Sequence, residues 1–503
     1  MKKLTSYLYP FLFALYPILE LRNFNIAYVG LSSIVRPVLL SLLVTALTWG
    51  LLRLLTKDLH KAGIITTLLV ISFFSYGHVY ISSESFFGTA IRHRYLSLLF
   101  GVLIAALSSL ILWKLKDPKG IVNFLVVSGG ILVLISFAQA IQNDLSAYLT
   151  GQQAEKEQAS EAQSANITDV QEKPDIYLIL LDGHTRSDIL KDHYDLDNSG
   201  FTQQLEDLGF YVANCSQSNY PSTKFSVTST FYADYQKETL YPLYSSLVIK
   251  TVRDLGYQVL TFENRSNGHF AINEDERISR NTALGWVSLT GGLSEFEMML
   301  MQTSAAKIIY DMPQLVPGLN PMIITEAEYY EHYQQTFFIL NELQNIPDRE
   351  EPTFTFAHIL VPHPPYIFTP DGDFFWAENQ KKGYRSNAEF IDSHIVPVVE
   401  NIIKKSDIPP VIIIMGDHGP GGDHVTPAMR MAILNAYYVN QAAKGDLYES
   451  ITPVNSFRVV FNNYFNANLP LLEDISYHAY TTKKMNSENI VENACKERLT
   501  NKE

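Results

Sequence analysis

Cysteine is nearly absent: the 503 residues hold two, Cys215 and Cys495, and neither sits in a C-x-x-C pair. That excludes a zinc ribbon or a thioredoxin-like redox motif, and leaves pairing between the two open. Charge is also scarce, at 18% of residues, and it is unevenly divided. Residues 1–143 contain twelve Lys/Arg and four Asp/Glu, a balance of +8, and the remainder contains 26 against 48, a balance of −22. A basic apolar third ahead of a strongly acidic portion excludes one globular domain, a disordered chain and a collagen-like chain. The acidic excess argues against nucleic acid as a partner, because it repels phosphate backbones.

What is abundant is apolar sequence in long runs. Five segments stand out before residue 143: Leu4–Leu19, Leu31–Leu52, Ala62–Ile81, Tyr95–Trp113 and Ile121–Ile141. About 20 apolar residues cross the hydrocarbon core as a helix. The expectation is a transmembrane domain of five helices over 1–143, with the first, interrupted by Pro10 and Pro17, and the second, carrying Arg36, the weaker spans. Lys2, Lys3, Arg53, Lys57, Lys61, Lys114, Lys116 and Lys119 fall on one side if all five cross, against Arg22, Arg36, Arg92 and Arg94 on the other. The positive-inside rule then makes the N-terminus cytoplasmic and everything after residue 143 extracytoplasmic, in a multi-pass protein of the cell (inner) membrane. Residues 144–173, rich in Gln, Ala, Ser and Glu, read as a linker or an extended juxtamembrane helix, and the soluble domain spans 174–503.

In that domain short Ile/Leu/Val runs alternate with amphipathic stretches such as Ser199–Leu208 and Ser386–Lys405. The runs Ile176–Leu181, Gln258–Phe262, Thr353–Ile359, Val411–Met415 and Met431–Val439 suit strands buried on both faces, so the fold class is α/β with a mostly parallel central sheet. Ligands gather outside the carboxyl ends of such strands. There the sequence places Asp182-Gly183-His184, then His358 and Pro362-His363-Pro364-Pro365-Tyr366, then Gly416-Asp417-His418-Gly419. A single Asp-Gly turn is an ordinary loop start. Carboxylates and imidazoles at three strand ends point to a divalent metal, of Zn, Mn or Mg type. Asn219-Tyr220-Pro221-Ser222-Thr223-Lys224-Phe225-Ser226 reads as a helix start that brings hydroxyls to a site suited to an anion.

The order PDIYLILLDG, NYPSTKFSVTS, FTFAHILVPHPPY, IIIMGDHGPG and RMAILNAYY resembles the alkaline phosphatase superfamily. It is similar to the membrane-bound sulfatase-like branch that includes lipoteichoic acid synthases and phosphoethanolamine transferases. The resemblance implies an α/β/α sandwich behind the membrane helices and a metal-dependent enzyme. It implies Asp182, Asp417 and His418 as metal ligands, and Thr223 as both nucleophile and ligand. His363 matches a histidine that contacts the substrate phosphate or a second metal. His358 and His424 are candidates for a second site or substrate contact, and Asn219 and Arg430 for anion contacts. True sulfatases carry C/S-x-P-S-R, whose first residue becomes formylglycine; here Asn219-Tyr220 precede Pro221-Ser222, and Thr223 replaces the arginine. The expected activity is therefore transfer of a phosphoethanolamine- or phosphoglycerol-type group from a membrane lipid donor to an envelope glycan or lipid acceptor. A hydrolase of sulfate or phosphate esters is the alternative, and an inactive membrane protein binding an envelope polymer is the third reading.

Overall fold

The computed structural model describes residues 7–25, 34–87, 92–162, 170, 173–236, 242–263, 270, 272–280, 295–312, 327–377, 379–422, 424–481 and 485–495. Two compact units divide the chain: Met1–Ser146 with Ala283–Glu328, and Ala147–Thr282 with Tyr329–Glu503. The first unit thus includes a segment that lies, in sequence, inside the span expected as the soluble domain.

The first unit holds α1 (Tyr9–Phe24), α2 (Val35–Thr56), α3 (Leu59–Phe87), α4 (His93–Lys114) and the start of α5 (Lys119–Ala162). Among the described residues, four helices are long and apolar enough to cross a membrane, at Val35–Thr56, Leu59–Glu84, His93–Lys114 and Lys119–Gln142. All five expected helices are present, and the first in sequence is the one outside those four. The first helix has only 16 residues, with Pro17 inside. At 1.5 Å per residue it rises about 24 Å, short of the roughly 30 Å hydrocarbon core. Even so, the helices alternate in direction. Tyr9, Ile64 and Val122 cluster with Ile111 and Leu115, uniting the starts of α1, α3 and α5 with the end of α4. Ile18, Leu19 and Ile34 cluster with Val38, Phe74 and Val133 farther along.

That second cluster also contains Phe296, from α10 (Glu295–Thr303), and Tyr76, Tyr80 and Leu96 pack with Ile308 of α11 (Lys307–Asp311). Polar contacts fix both helices there. Arg36 pairs with Glu297. His93 Nε2 lies 2.7 Å from Asp311 Oδ2, His93 Nδ1 lies 3.0 Å from Tyr76 Oη, and Lys307 Nζ lies 3.0 Å from Asp311 Oδ2.

The second unit is built on a seven-stranded sheet, β1 (Ile176–Leu181), β2 (Tyr211–Val212), β3 (Gln258–Phe262), β4 (Glu276–Ile278), β5 (Thr353–Ile359), β6 (Val411–Met415) and β7 (Asn435–Tyr438), in the order β2-β7-β6-β1-β5-β3-β4. The β6-β1-β5-β3-β4 portion is parallel, and β7 runs antiparallel to both its neighbours. Alternate residues of β1 serve opposite faces. Ile176, Leu178 and Leu180 pack with Val227 and Phe231 of α8 (Thr223–Tyr232), Val248 of α9 (Leu247–Asp254) and Phe457 of α16 (Pro453–Phe465). Tyr177, Ile179 and Leu181 pack with Leu205 of α7 (Ser199–Asp207), Leu340 of α12 (Ala327–Leu343) and Phe390 of α13 (Gln380–Lys405). The continuous apolar runs follow from burial on both faces, and the result is an α/β/α sandwich.

Three departures from the sequence expectations have local causes. The Met431–Val439 run is a strand only over Asn435–Tyr438, because Thr426 caps α14 (Pro427–Met431) by accepting from the Met429 N–H. The long α13 starts at Gln380 rather than Ser386, since Asn379 caps it by accepting from Lys381 N–H. Strands β2 and β4, of two and three residues, are too short to show a period of two.

Candidate functional site

Strand β1 lies between β5 and β6, all parallel, so three carboxyl ends coincide. Asp182 follows β1, and its N–H donates to Ile359 O at the end of β5 (2.9 Å). Gly183 turns the chain with φ +77°, a conformation that other residues adopt only under strain. Its N–H donates to Asp417 Oδ1 (2.9 Å), and Tyr384 of α13 donates to its carbonyl (2.8 Å). After β6, Gly416 is needed because a Cβ there would lie 2.1 Å from the His184 carbonyl oxygen. The turn therefore delivers Asp417 and His418 beside Asp182.

The nucleophile candidate arrives from a different element. Ser222, with extended backbone, precedes α8, and Thr223 is its first residue. Ser226 donates through Oγ to Tyr220 O (2.8 Å), which fixes the entry to the helix. Thr223 Oγ1 lies 3.2 Å from His418 Nε2. His418 Nδ1 lies 2.9 Å from Gly419 O, a carbonyl that only accepts, so Nδ1 carries the proton and Nε2 presents its lone pair.

One ligand atom each from Asp182, Asp417 and His418 lie within 4.8 Å of one another, and all three residues are buried. Nε2 is 3.8 Å from Asp182 Oδ1 and 3.2 Å from Asp417 Oδ2. Those two oxygens are buried and accept no hydrogen bond, whereas their sister oxygens are satisfied, Asp182 Oδ2 by His358 Nε2 (2.9 Å) and Asp417 Oδ1 by the Gly183 N–H. Two carboxylate oxygens and an imidazole lone pair thus converge with no donor among them except the Thr223 hydroxyl. Such a crowd of acceptors is costly unless a cation neutralises it. The donor set and its charge of −2 fit one divalent ion.

The electrostatics agree. Burial would raise the Asp182 carboxyl, but His363, His358 and His418 together outweigh it and hold Asp182 well below the usual carboxylate range. Burial lowers the His418 pKa, ahead of the opposing pull of Asp417, and favours the neutral imidazole a metal needs.

The remaining candidates separate. His363 is exposed at the mouth, its ring centroid 6.5 Å from that of His418. His358 is buried behind Asp182 and orients it, rather than facing a substrate. Both ends of the Asn219 amide are engaged: Oδ1 accepts from Val454 N–H (3.1 Å) and Nδ2 donates to Ile475 O (2.9 Å). That use leaves it a structural link rather than the expected anion contact. His424 Nε2 lies 3.2 Å from Tyr194 Oη, and His424 is not one of the three residues whose ligand atoms converge. Arg430 donates to three backbone carbonyls, those of Pro221, Gly419 and Pro420. His184 pairs with Asp392 at 2.7 Å instead of joining the ligands. Lys224 had no assigned role; it follows Thr223, and burial lowers its pKa. Cys215 and Cys495 form a disulfide.

No family model matches the chain, and no curated protein matches it in sequence. Among solved structures it is similar to the C-terminal periplasmic domain of EcEptC from Escherichia coli, at 12% identity and a TM-score of 0.42, over 65% of this chain and 95% of that one. The C-terminal periplasmic domain of phosphoethanolamine transferase EptC from Campylobacter jejuni gives 10% identity and a TM-score of 0.38, over 60% and 92%. The integral membrane protein lipooligosaccharide phosphoethanolamine transferase A (EptA) from Neisseria meningitidis gives 12% identity and a TM-score of 0.36, over 90% and 94%. The fold stands on its sheet order and the site on its distances.

Proposed function

We propose that the chain is a metal-dependent, membrane-anchored transferase that moves a phospho-group from a lipid donor to an envelope glycan or lipid through Thr223. The observation that carries this reading is the pair of unpartnered buried oxygens, Asp182 Oδ1 and Asp417 Oδ2, meeting His418 Nε2 beside the Thr223 hydroxyl. Asp182, Asp417 and His418 would hold one divalent ion, with Thr223 as a fourth donor. Zinc, manganese or magnesium in that place supplies Lewis acidity to phosphoryl oxygens and lowers the pKa of a neighbouring hydroxyl.

The chain's own residues do the rest. Thr223 Oγ1 attacks phosphorus as the bond to the lipid alcohol breaks, and the lipid leaves as diacylglycerol with the proton the threonine gave up. An acceptor hydroxyl then attacks the phosphothreonine and frees Thr223. His363, exposed beside the ligands, contacts the phosphate in this scheme. A membrane anchor suits a donor whose acyl chains remain in the bilayer.

The topology belongs to the same proposal: α1 serves as a fifth crossing despite its 16 residues, the local bilayer thinning to match it, which puts the N-terminus in the cytoplasm and residues 144–503 outside. The alternating helices support it, because the start of α1 and the cluster that holds α10 lie at opposite ends of the first unit. The Cys215–Cys495 disulfide supports a non-reducing compartment for the second unit. Reporter fusions after Lys116 and after residue 172 test it and are expected to read cytoplasmic and external. The reaction is tested by incubating the purified full chain with phosphatidylethanolamine and phosphatidylglycerol vesicles plus acceptor lipid, and following products by mass spectrometry. Diacylglycerol with a modified acceptor is expected; a free head group without one would identify a hydrolase.

A further inference from the structure

The three loops that bear the ligands and the nucleophile come from separate parts of the sequence, yet all are tied to residues 430–434. The Gly419 N–H donates to Arg430 O (2.6 Å), Ser218 N–H to Met431 O (2.7 Å), and Thr185 Oγ1 to Ala432 O (2.9 Å). Leu434 N–H donates to His184 O (3.2 Å), and Gly416 N–H to Leu434 O (2.9 Å). A Cβ at Gly419 would lie 2.2 Å from Met429 O, so the turn after His418 is pressed against this segment.

One side chain bridges two of the loops directly. Arg430 Nε donates to Pro221 O (2.7 Å), two residues before Thr223. Its Nη1 donates to Gly419 O (2.9 Å) and Pro420 O (3.1 Å). The same Gly419 carbonyl accepts the His418 Nδ1 proton (2.9 Å). One guanidinium therefore holds the backbone that launches Thr223 and the carbonyl that orients the His418 ring. The dimension fixed between them is the 3.2 Å from Thr223 Oγ1 to His418 Nε2.

We infer that Arg430 is a positioning residue that sets the spacing of Thr223 from His418, and not the anion contact its place in the sequence suggests. The inference rests on the reading of Thr223 and His418 given above. Its physical basis is the planar fork, which puts fixed N–H directions on two loops at once; a lysine ammonium has neither the plane nor the spread.

The test uses the full chain in lipid nanodiscs containing phosphatidylethanolamine, with Arg430→Ala and Arg430→Lys. Hydrogen exchange is read at residues 215–226 and 416–422, and diacylglycerol release is measured against lipid concentration. In Arg430→Ala both loops are expected to exchange at least about tenfold faster together, as local opening becomes easier. The kcat is expected to fall about a hundredfold with KM within about threefold, the cost of a small misplacement at a reacting centre. Lysine is expected to restore neither. Unchanged exchange in either loop, or a raised KM with kcat intact, overturns the inference. If Arg430→Ala does not fold, Arg430→Lys is read by the same criteria. A wild-type chain that releases no diacylglycerol overturns the transferase reading, and the exchange result still decides the role of Arg430.

Discussion

One His–Asp cluster in each unit, His93–Asp311 and His418 with Asp182 and Asp417, shows what separates a candidate site from a structural joint. In the first unit His93 is bonded at both ring nitrogens, to Asp311 and Tyr76, and Asp311 also pairs with Lys307. Each acceptor has its donor, so nothing is left for a ligand. In the second unit His418, Asp182 and Asp417 each have one atom secured by a neighbour and one left facing the others. The residue types are nearly the same in both places. Open valence, rather than residue type, sets the candidate site apart.

The largest effect expected from breaking this contrast is at the proposed nucleophile, Thr223. Thr223→Ala removes the attacking oxygen, and phospho-group transfer is expected to fall at least about a thousandfold. Ser226→Ala, which removes only the bond to Tyr220 O, is expected to fall far less. Peptide mass spectrometry of the trapped intermediate should map the phospho-adduct to Thr223; an adduct on Ser222 would refute the assignment.

Next comes the support behind Asp182, a proposed ligand. His358→Ala frees the second oxygen of Asp182 and is expected to weaken metal affinity by about 10–100-fold, measured by competition with a chelator. An unchanged affinity would make His358 a core histidine with no link to the site.

These two predictions differ in how far the sequence foreshadowed them. Asp182, Thr223, Asp417 and His418 were legible because a strand-end carboxylate, a helix-start hydroxyl and an Asp-His-Gly turn each leave a mark in sequence. The central strands were legible because burial on both faces demands unbroken apolar runs. The positions of His358 and Arg430 were legible, but their parts were not. Arg430 acts on backbone carbonyls, and every residue has one. His358 reaches Asp182 from the neighbouring strand β5, in a register that no spacing reveals. The docking of residues 295–312 in the first unit was equally hidden, since a nine-residue helix such as α10 has little periodicity and its partners, from Ile18 to Val133, lie far upstream.

A moderate effect is expected from pH. Because burial lowers the His418 pKa, its lone pair stays available through pH 6.5, where an ordinary histidine is half protonated. Metal affinity should hold from pH 8 to about 6.5 and fall only below that, in a chelator titration across pH. The same shift means the unfolded chain takes up this proton at higher pH than the folded one. Its contribution to stability therefore declines as pH falls through that window. Affinity already falling between pH 8 and 7 would contradict a buried neutral His418.

The smallest effect is expected from the closed cluster. His93→Ala should destabilise the first unit by about 1–2 kcal/mol, discounted because Asp311 is partly exposed, and leave the metal content unchanged. Thermal melting read alongside metal analysis checks both halves of that statement.

The most direct test of the central claim is metal stoichiometry in the purified full chain by inductively coupled plasma mass spectrometry, comparing wild type, Asp417→Ala and His93→Ala. The account predicts about one divalent ion per chain in wild type and His93→Ala, and a large loss in Asp417→Ala. Equal metal content in wild type and Asp417→Ala, or no bound ion in any of the three after dialysis against zinc or manganese, would contradict it.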